Sequence, residues 1–309
     1  MGESYGGAMR IGIFSGSTND GTLDQLVAEA TDVEAQGFHS FWVSQIFGHD
    51  ALTVLAVIGR EVPRIELGTG VVPTYPRHPM MLAQQALTVN AAAGGRLALG
   101  IGLSHQIVVE NMWGMSYAKP VRHLREYLSV LMPMVEGQPV SFDGEEFQVH
   151  AGVSAPGTTR PGVFVAALGE QMLRVTAALA DGTVTWCTGP ETLRTHIVPT
   201  LTAAAEAAGR PTPRIISALP VCVTGDRPSA LARAAALFQM YGFLPSYRAM
   251  LDKEGAAGPE DIAIVGNAAE VGDRIRALAD VGITDFTAAE FGGNPDEVAE
   301  TRQVLQSLL

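Results

Sequence analysis

The sequence predicts an α/β fold, a (β/α)8 TIM barrel, and three observations predict it. Short runs of β-type residues alternate with longer helical patterns along the whole chain, the rhythm of βα units on a parallel sheet. Eight such runs can be counted, with helical stretches between and after them. Glycine stands at or near the helix ends, at Gly37, Gly94, Gly137, Gly182, Gly209 and Gly282, where a left-handed cap is easiest for a residue without a Cβ. Eight strands with eight helical stretches favour the closed barrel over its main competitor, an open doubly wound sheet.

The strands fall at residues 10–15, 40–44, 64–72, 96–102, 162–168, 183–188, 215–224 and 285–290. After the first, Leu23, Leu26, Val27, Ala30 and Val33 recur at helical spacing, and after the fourth Leu124, Tyr127, Leu128, Leu131 and Val135 do the same. Two segments exceed a minimal barrel. Residues 137–152 alternate apolar and polar around Asp143-Gly144, which predicts an inserted β-hairpin. Residues 238–266 carry Phe238, Tyr241, Phe243 and Tyr247 before a Gly-rich bend, and read as a helical insertion over one end of the barrel.

With 309 residues, 47% of them hydrophobic and 17% charged, the chain has ample material for one large core. Residues 1–8 are polar and Gly-rich and read as a disordered leader, leaving 9–309 as a single domain. The net charge of −12 argues against nucleic acid and anionic membrane as partners. No run reaches the ~18 apolar residues of a membrane span. Cys187 and Cys222 lie in strand-like runs without CxxC spacing, so buried reduced thiols and a cytoplasmic location are expected.

No HExxH, CxxC or EF-hand spacing is present, so no metal site is expected. "GTGVVP" and "GIGLSH" lack the third glycine of a dinucleotide fingerprint, and Ser104-His105 is not a GxSxG elbow. Chemistry in a barrel sits after the strands, at its C-terminal face. That rule points to Ser44, Gln45 and Ile46, to the loop "GTGVVPTYPRHPMMLAQ" at 68–84, to Gly102–His105, to "ALGEQ" at 167–171 and to Trp186–Gly189. Gly169 opens a helix whose first N–H groups could receive an anion, or could form an ordinary start favoured by Glu170. His105 reads equally as a general acid or base and as a hydrogen-bonding pocket residue. Met112, Trp113, Met115 and Tyr117 either pack on the core or line an apolar pocket.

Together, "FWVSQ" at 41–45, "LGTGVVPTYPRHP" at 67–79, "RLALGIG" at 96–102, "GQPVSFDGEEF" at 137–147, "ALADGTVTW" at 178–186 and "AIVGNAAEVGDRIRALADVGITDF" at 263–286 resemble the luciferase-like monooxygenase superfamily. Within it they are similar to the branch that uses the deazaflavin coenzyme F420, in order from Met9 to the C-terminus. The resemblance implies hydride exchange at C5 of the deazaflavin, a non-prolyl cis peptide at Gly70-Val71 behind its ring, and a phosphate-binding turn at Ala167, Leu168 and Gly169, followed by Glu170 and Gln171. It assigns Ser44, Gln45, Thr69, Gly70, Val71, Val72, Gly102, Ser104 and Trp186 to the cofactor as well. Ile46, Trp113 and Tyr241 fall to the substrate pocket, and His105 is the candidate proton donor. Arg77 and His78 either approach the coenzyme's acidic tail or cap the third helix.

The deazaflavin-dependent glucose-6-phosphate dehydrogenases place a histidine after strand two and a glutamate after strand four, where this chain has Ile46 and His105. The resemblance therefore points away from sugar phosphates, toward methylenetetrahydromethanopterin reductase-like members and reductases of imines or conjugated alkenes. The expected activity is hydride transfer from reduced F420 to a small organic acceptor, in a homodimer. One alternative is an FMN-dependent monooxygenase served by a separate reductase. The other is a non-catalytic flavin-binding barrel.

Overall fold

Eight parallel strands close on themselves in the computed structural model, which describes residues 8–309. In chain order the sheet elements are β1 (Arg10–Phe14), β2 (Ser40–Val43), β3 (Glu66–Thr69), β4 (Val72–Pro73), β5 (Leu97–Gly102), β6 (Val140–Asp143), β7 (Gln148–Ala151), β8 (Gly162–Val165), β9 (Gly182–Trp186), β10 (Arg214–Val223), β11 (Ile264–Gly266) and β12 (Asp285–Glu290). The barrel runs β1-β2-β3-β5-β8-β9-β10-β12 and back to β1. Ten-residue β10 is the longest strand; it pairs with β9 low down, with β12 along its middle and with the short β11 at its C-terminal end.

The helices are α1 (Leu23–Ala35), α2 (Ala51–Glu61), α3 (Pro79–Ala92), α4 (Pro120–Val135), α5 (Glu170–Leu179), α6 (Pro190–Thr192), α7 (Val198–Ala207), α8 (Arg227–Phe243), α9 (Pro245–Glu254), α10 (Pro259–Ile262), α11 (Ala268–Val281) and α12 (Pro295–Gln306). Their starts follow the capping chemistry of the sequence. Thr22 and Gln25 form a reciprocal box at α1, Asn267 and Glu270 another at α11, and Asp50 accepts from the Thr53 N–H at α2. Each cap satisfies N–H groups that the first helical turn leaves unpaired.

The barrel interior is layered. At the floor, the buried Arg214 donates to Asp285 Oδ2 at 2.8 Å and to Glu66 Oε1 at 2.7 Å, while Arg10 also reaches Asp285 at 3.0 Å. Above that layer Trp42, Ala98, Phe164, Val184 and Ile216, one from each of five strands, form a cluster separate from the main core between strands and helices. The Trp42 indole N–H donates to Ser40 Oγ at 2.9 Å, so its one polar atom is satisfied inside the barrel. This filled lumen leaves binding to the rim.

All eight expected strands are present. Strand three is the exception in form: the run predicted as 64–72 starts at Glu66 and is broken after Thr69, where Gly70 and Val71 bulge out before β4 resumes on β5. The Gly70-Val71 peptide is cis, as the resemblance implied. Gly37, Gly94, Gly137, Gly209 and Gly282 have positive φ, as helix-end glycines should. Gly182 does not belong with them. It opens β9, where a Cβ would overlap the Arg214 backbone, so close strand approach explains it.

The predicted hairpin is the antiparallel pair β6–β7. Its tip is gathered by the buried Glu126 of α4, whose carboxylate accepts from the backbone N–H groups of Glu145, Glu146 and Phe147. The insertion after β10 is longer than predicted, beginning at Arg227 and containing β11 as well as three helices. It is tied down by Glu254, at the end of α9, whose carboxylate accepts from the N–H of Glu191 at 3.1 Å and of Thr192 at 2.7 Å in α6. Residues 1–7 of the expected leader lie outside the described residues, and Ala8 is exposed. Cys187 and Cys222 are buried free thiols. Among the described residues no helix is long and apolar enough to cross a membrane, and no cluster of His, Cys, Asp and Glu could hold a metal.

Candidate active site at the barrel mouth

The bulge after β3 makes the floor of the mouth. Thr69 is fully buried, and its hydroxyl both donates to the Gly100 carbonyl at 2.8 Å and accepts from the Gly100 N–H at 2.9 Å, locking β3 to β5. Gly70 N–H bonds to the Val43 carbonyl at 2.8 Å on the other side. Val71 is then carried over Gly102, so closely that a Cβ on Gly102 would lie 2.6 Å from Val71 Cγ2 and 3.3 Å from Ala166 Cβ. Phe14, Val71 and Ala166, all partly buried, cap the lumen cluster and leave an apolar shelf.

An aromatic chain stands over one side of that shelf. Phe14 stacks on Trp186 with centroids 5.8 Å apart, Trp186 meets Tyr241 edge-on at 5.7 Å, Tyr241 meets Tyr247 at 5.1 Å, and Tyr247 meets His105 at 5.7 Å. The structure thus joins His105, Trp186 and Tyr241, three residues expected at the site, through one that was not, Tyr247, and extends the row to Phe14. Burial pushes the Tyr241 phenol up to about 12 and the Tyr247 phenol well above its ordinary value, and it lowers the pKa of the His105 imidazole. All three are therefore neutral near pH 7.

A third element is the start of α5. Gly169 is its N-cap in extended conformation and supplies no side-chain bond, so the first-turn N–H groups point outward unpaired by any cap. A Cβ on Gly169 would meet nothing within 4 Å, so the approach to these groups is open. The turn before it is held by His196, whose Nε2 lies 2.8 Å from the Leu168 carbonyl, with Ala167 buried beneath. Glu170 is turned along the helix to Arg174 at 2.5 Å, and Gln171 is exposed.

The model of the family described as luciferase-like monooxygenase matches residues 9–301. The chain belongs to that family. Among curated relatives, the 5,10-methylenetetrahydromethanopterin reductase of Methanolobus tindarius is 26% identical over 267 residues, covering 85% of this chain and 81% of the relative. Among solved structures, the coenzyme F420-dependent tetrahydromethanopterin reductase of Methanopyrus kandleri superposes with a TM-score of 0.80 at 19% identity, over 97% of this chain and 98% of that one. The oxygenating constituent of 3,6-diketocamphane monooxygenase of Pseudomonas putida, solved in complex with FMN, superposes with a TM-score of 0.74 at 18% identity, over 97% and 96%. At these identities the two structures show a shared luciferase-like fold.

The other expected site residues of this luciferase-like chain separate into two groups. Ser44 and Ile46 follow β2 at the mouth, Val72 is buried in β4, and Ser104 follows β5 in the left-handed region with φ 60°. Gln45, in the same loop, holds the start of α2, its Oε1 accepting from the Ala51 N–H at 2.8 Å. Trp113 packs on the main core and makes no ring contact with the aromatic chain. Of Arg77 and His78, only His78 caps α3, its Nδ1 accepting from the Met80 N–H at 3.3 Å, while Arg77 is paired at 2.5 Å with Asp50, the N-cap of α2.

Behind the shelf lies a group that sequence reasoning missed. His123 of α4 stacks on Tyr75 with centroids 4.0 Å apart and planes 8° from parallel, and its Nε2 is 3.0 Å from Thr74 Oγ1. Thr74 N–H in turn bonds to the Gly102 carbonyl at 2.9 Å, so His123 braces the strand that carries the bulge. Burial lowers the His123 pKa to about 4. Because the unfolded imidazole titrates near 6.5, its stabilisation is complete above that pH and is lost as the pH falls toward 4. Between pH 7 and pH 4.5 the native state should lose on the order of 2 kcal/mol more than a His123→Phe variant loses, measured by urea unfolding. Equal losses in the two proteins would show that His123 is not the group titrating.

Proposed function

We propose that the chain is an F420-dependent oxidoreductase that transfers a hydride between C5 of the deazaflavin and a small organic acceptor, an imine or an activated alkene. The relatives named as F420-dependent enzymes support the reading. The observation that carries it is the shelf of Val71 over Gly102, together with the uncapped start of α5 after β8. That pairing fits a flat apolar ring with an anionic tail: the absence of a Cβ at Gly102 lets Val71 lie close against the strand, and helix N–H groups attract phosphate.

When bound, the deazaflavin supplies a two-electron hydride donor. The chain's own residues do the rest. Val71, backed by Gly102 and Ala166, would hold one face of the ring, with Ser44, Thr69, Gly70, Val72 and Ser104 shaping the strands around it. The N–H groups at Gly169, Glu170 and Gln171 would take the phosphate. Trp186, Tyr241 and Tyr247 shield the mouth from water, which strengthens every polar contact made there. His105, kept neutral by burial, has a ring N–H to donate to the acceptor, so orientation and one proton are what the protein contributes. We further propose that residues 9–309 act as one domain and that two copies form the working enzyme.

A second reading, an FMN monooxygenase with a separate reductase, is supported by the FMN-bound neighbour. Titrating the purified protein separately with oxidised F420 and with FMN, followed by fluorescence, tests both. Saturable F420 binding is expected, together with oxidation of reduced F420 by imines or enones. Tight FMN binding with no response to F420 would replace the first reading by the second, and F420 binding without turnover of any acceptor would favour a binding protein.

A further inference from the structure

His105 stands apart from the other half-buried or buried histidines in having no polar partner. His123 is bonded to Thr74 and His196 to the Leu168 carbonyl, whereas neither ring nitrogen of His105 has a hydrogen-bond or ion-pair partner among the described residues. A histidine that moves protons is ordinarily aimed by a hydrogen bond on its second nitrogen, which also sets the tautomer. That device is missing here. What the ring has is one aromatic neighbour, Tyr247, 5.7 Å away between centroids and inclined by 51°. The His105 carbonyl accepts from the N–H groups of Val108 and Val109, so the main chain is fixed by the turn it opens. Only packing can fix the side chain.

Tyr247 is mounted to do that. It lies on α9, where the next residue, Arg248, donates to Asp252 Oδ1 at 2.8 Å and to the carbonyls of Ala257 and Ala256 at 2.7 and 2.6 Å. One turn on, Met250 and Leu251 are buried, and the Met250 carbonyl accepts from the Thr192 hydroxyl at 3.1 Å. Behind it the Tyr247 ring meets Tyr241 of α8 edge-on at 5.1 Å. The phenol ring is thus a wall held from two sides, and the imidazole lies against it. The titratable groups around the pair are Tyr241, the buried Cys187 after β9, Arg248 and Glu110. The first two are neutral at pH 7, Arg248 is spent as described, and Glu110 accepts from Gln106 Nε2 at 3.0 Å. Burial accounts for the lowered His105 pKa, with no charged neighbour contributing.

We infer that Tyr247 is the positioning residue for His105: the held phenol ring sets the imidazole's orientation and keeps water from it by packing, leaving both ring nitrogens to the acceptor. The inference rests on the oxidoreductase reading, in which His105 gives the proton. It gives the helices inserted after β10 a part in the chemistry, because α9 carries the ring that a hydrogen-bonding partner would otherwise replace. Phenylalanine offers the same flat face, so the hydroxyl is dispensable to this role.

NMR titration of the full-length protein with labelled histidine reads the His105 imidazole, its signal identified by loss in His105→Gln. In Tyr247→Ala the His105 pKa should rise toward its ordinary value of 6.5, since water admitted to the ring favours the charged form. In Tyr247→Phe it should stay at the wild-type value. Tyr247→Leu keeps apolar bulk under α9 and should move His105 in the same direction by less, which preserves the test if the alanine variant does not fold. In a single turnover, oxidation of reduced F420 by an enone should slow about tenfold or more in Tyr247→Ala, with the pH profile displaced upward alongside the His105 pKa. An unshifted His105 titration in the alanine and leucine variants would overturn the inference, as would an unslowed turnover in Tyr247→Ala. A shift in Tyr247→Phe as large as in Tyr247→Ala would overturn it too, by making the hydroxyl the acting group. Failure of the wild-type protein to bind F420 removes the oxidoreductase reading and this inference with it; the titration, made without cofactor, tells the two failures apart.

Discussion

Replacing Arg214 by methionine is expected to destabilise the protein by about 3 kcal/mol or more at pH 7, because it strands two carboxylates at the closed end of the barrel. The Asp285 side chain is 2% exposed and that of Glu66 is 26% exposed, so water cannot take over fully for the guanidinium. Arg10 remains beside Asp285 at 3.0 Å, which places the expected loss at the lower end for a broken buried pair. The pH dependence identifies the cause. In the native protein burial pushes the Asp285 carboxyl up, but hydrogen bonds and charge from Arg214, with Arg10 and Thr284, outweigh it and hold the pKa low. Its contribution is therefore present above the unfolded carboxylate range and lost as pH falls through the lowered folded value. Without Arg214 the sign reverses, burial wins, and the variant's deficit should shrink at pH 4 as Asp285 takes a proton. Urea unfolding of both proteins at the two pH values measures this. A deficit that does not change with pH would mean that lost packing, not stranded charge, is the cost.

Gly102→Ala should lower the affinity for oxidised F420 by at least about tenfold while changing the unfolding temperature little. The backbone at Gly102 is not in the left-handed region, so alanine is conformationally acceptable there. The new methyl is the difficulty, since it would sit 2.6 Å from Val71 Cγ2. Val71 is partly exposed at the rim and can yield outward, which relieves the overlap cheaply but raises the shelf into the space proposed for the ring. Fluorescence titration of wild type and variant decides the matter. Unchanged affinity would mean that the shelf does not bear the ring.

The barrel was legible because its strands are buried on both faces and so appear as apolar runs between glycine-ended helices. The same uniformity hid the break in strand three. Val71 and Val72 are alike in composition, yet one stands in the bulge and the other in β4. The strand-end rule pointed to Trp186 and His105, since position alone marks them, and both stand in the aromatic row at the mouth. It could not find Tyr247, which reaches the mouth only because α9 folds back over β5's loop, and it passed over Phe14, a strand end with no polar signal. The partner of Arg77 could not be read from its neighbours, because Asp50 stands 27 residues earlier.

Glu254 carries a consequence for how the chain is made. The three-residue α6 has no N-terminal cap of its own and borrows one from a side chain 62 and 63 residues further on. In a polypeptide that leaves the ribosome from its N-terminus, the sixth βα connection therefore stays unfinished until all of α8 and α9 has been synthesised. Completing that connection and seating the cover over it become one late, long-range event, in which neither is finished while the other is missing.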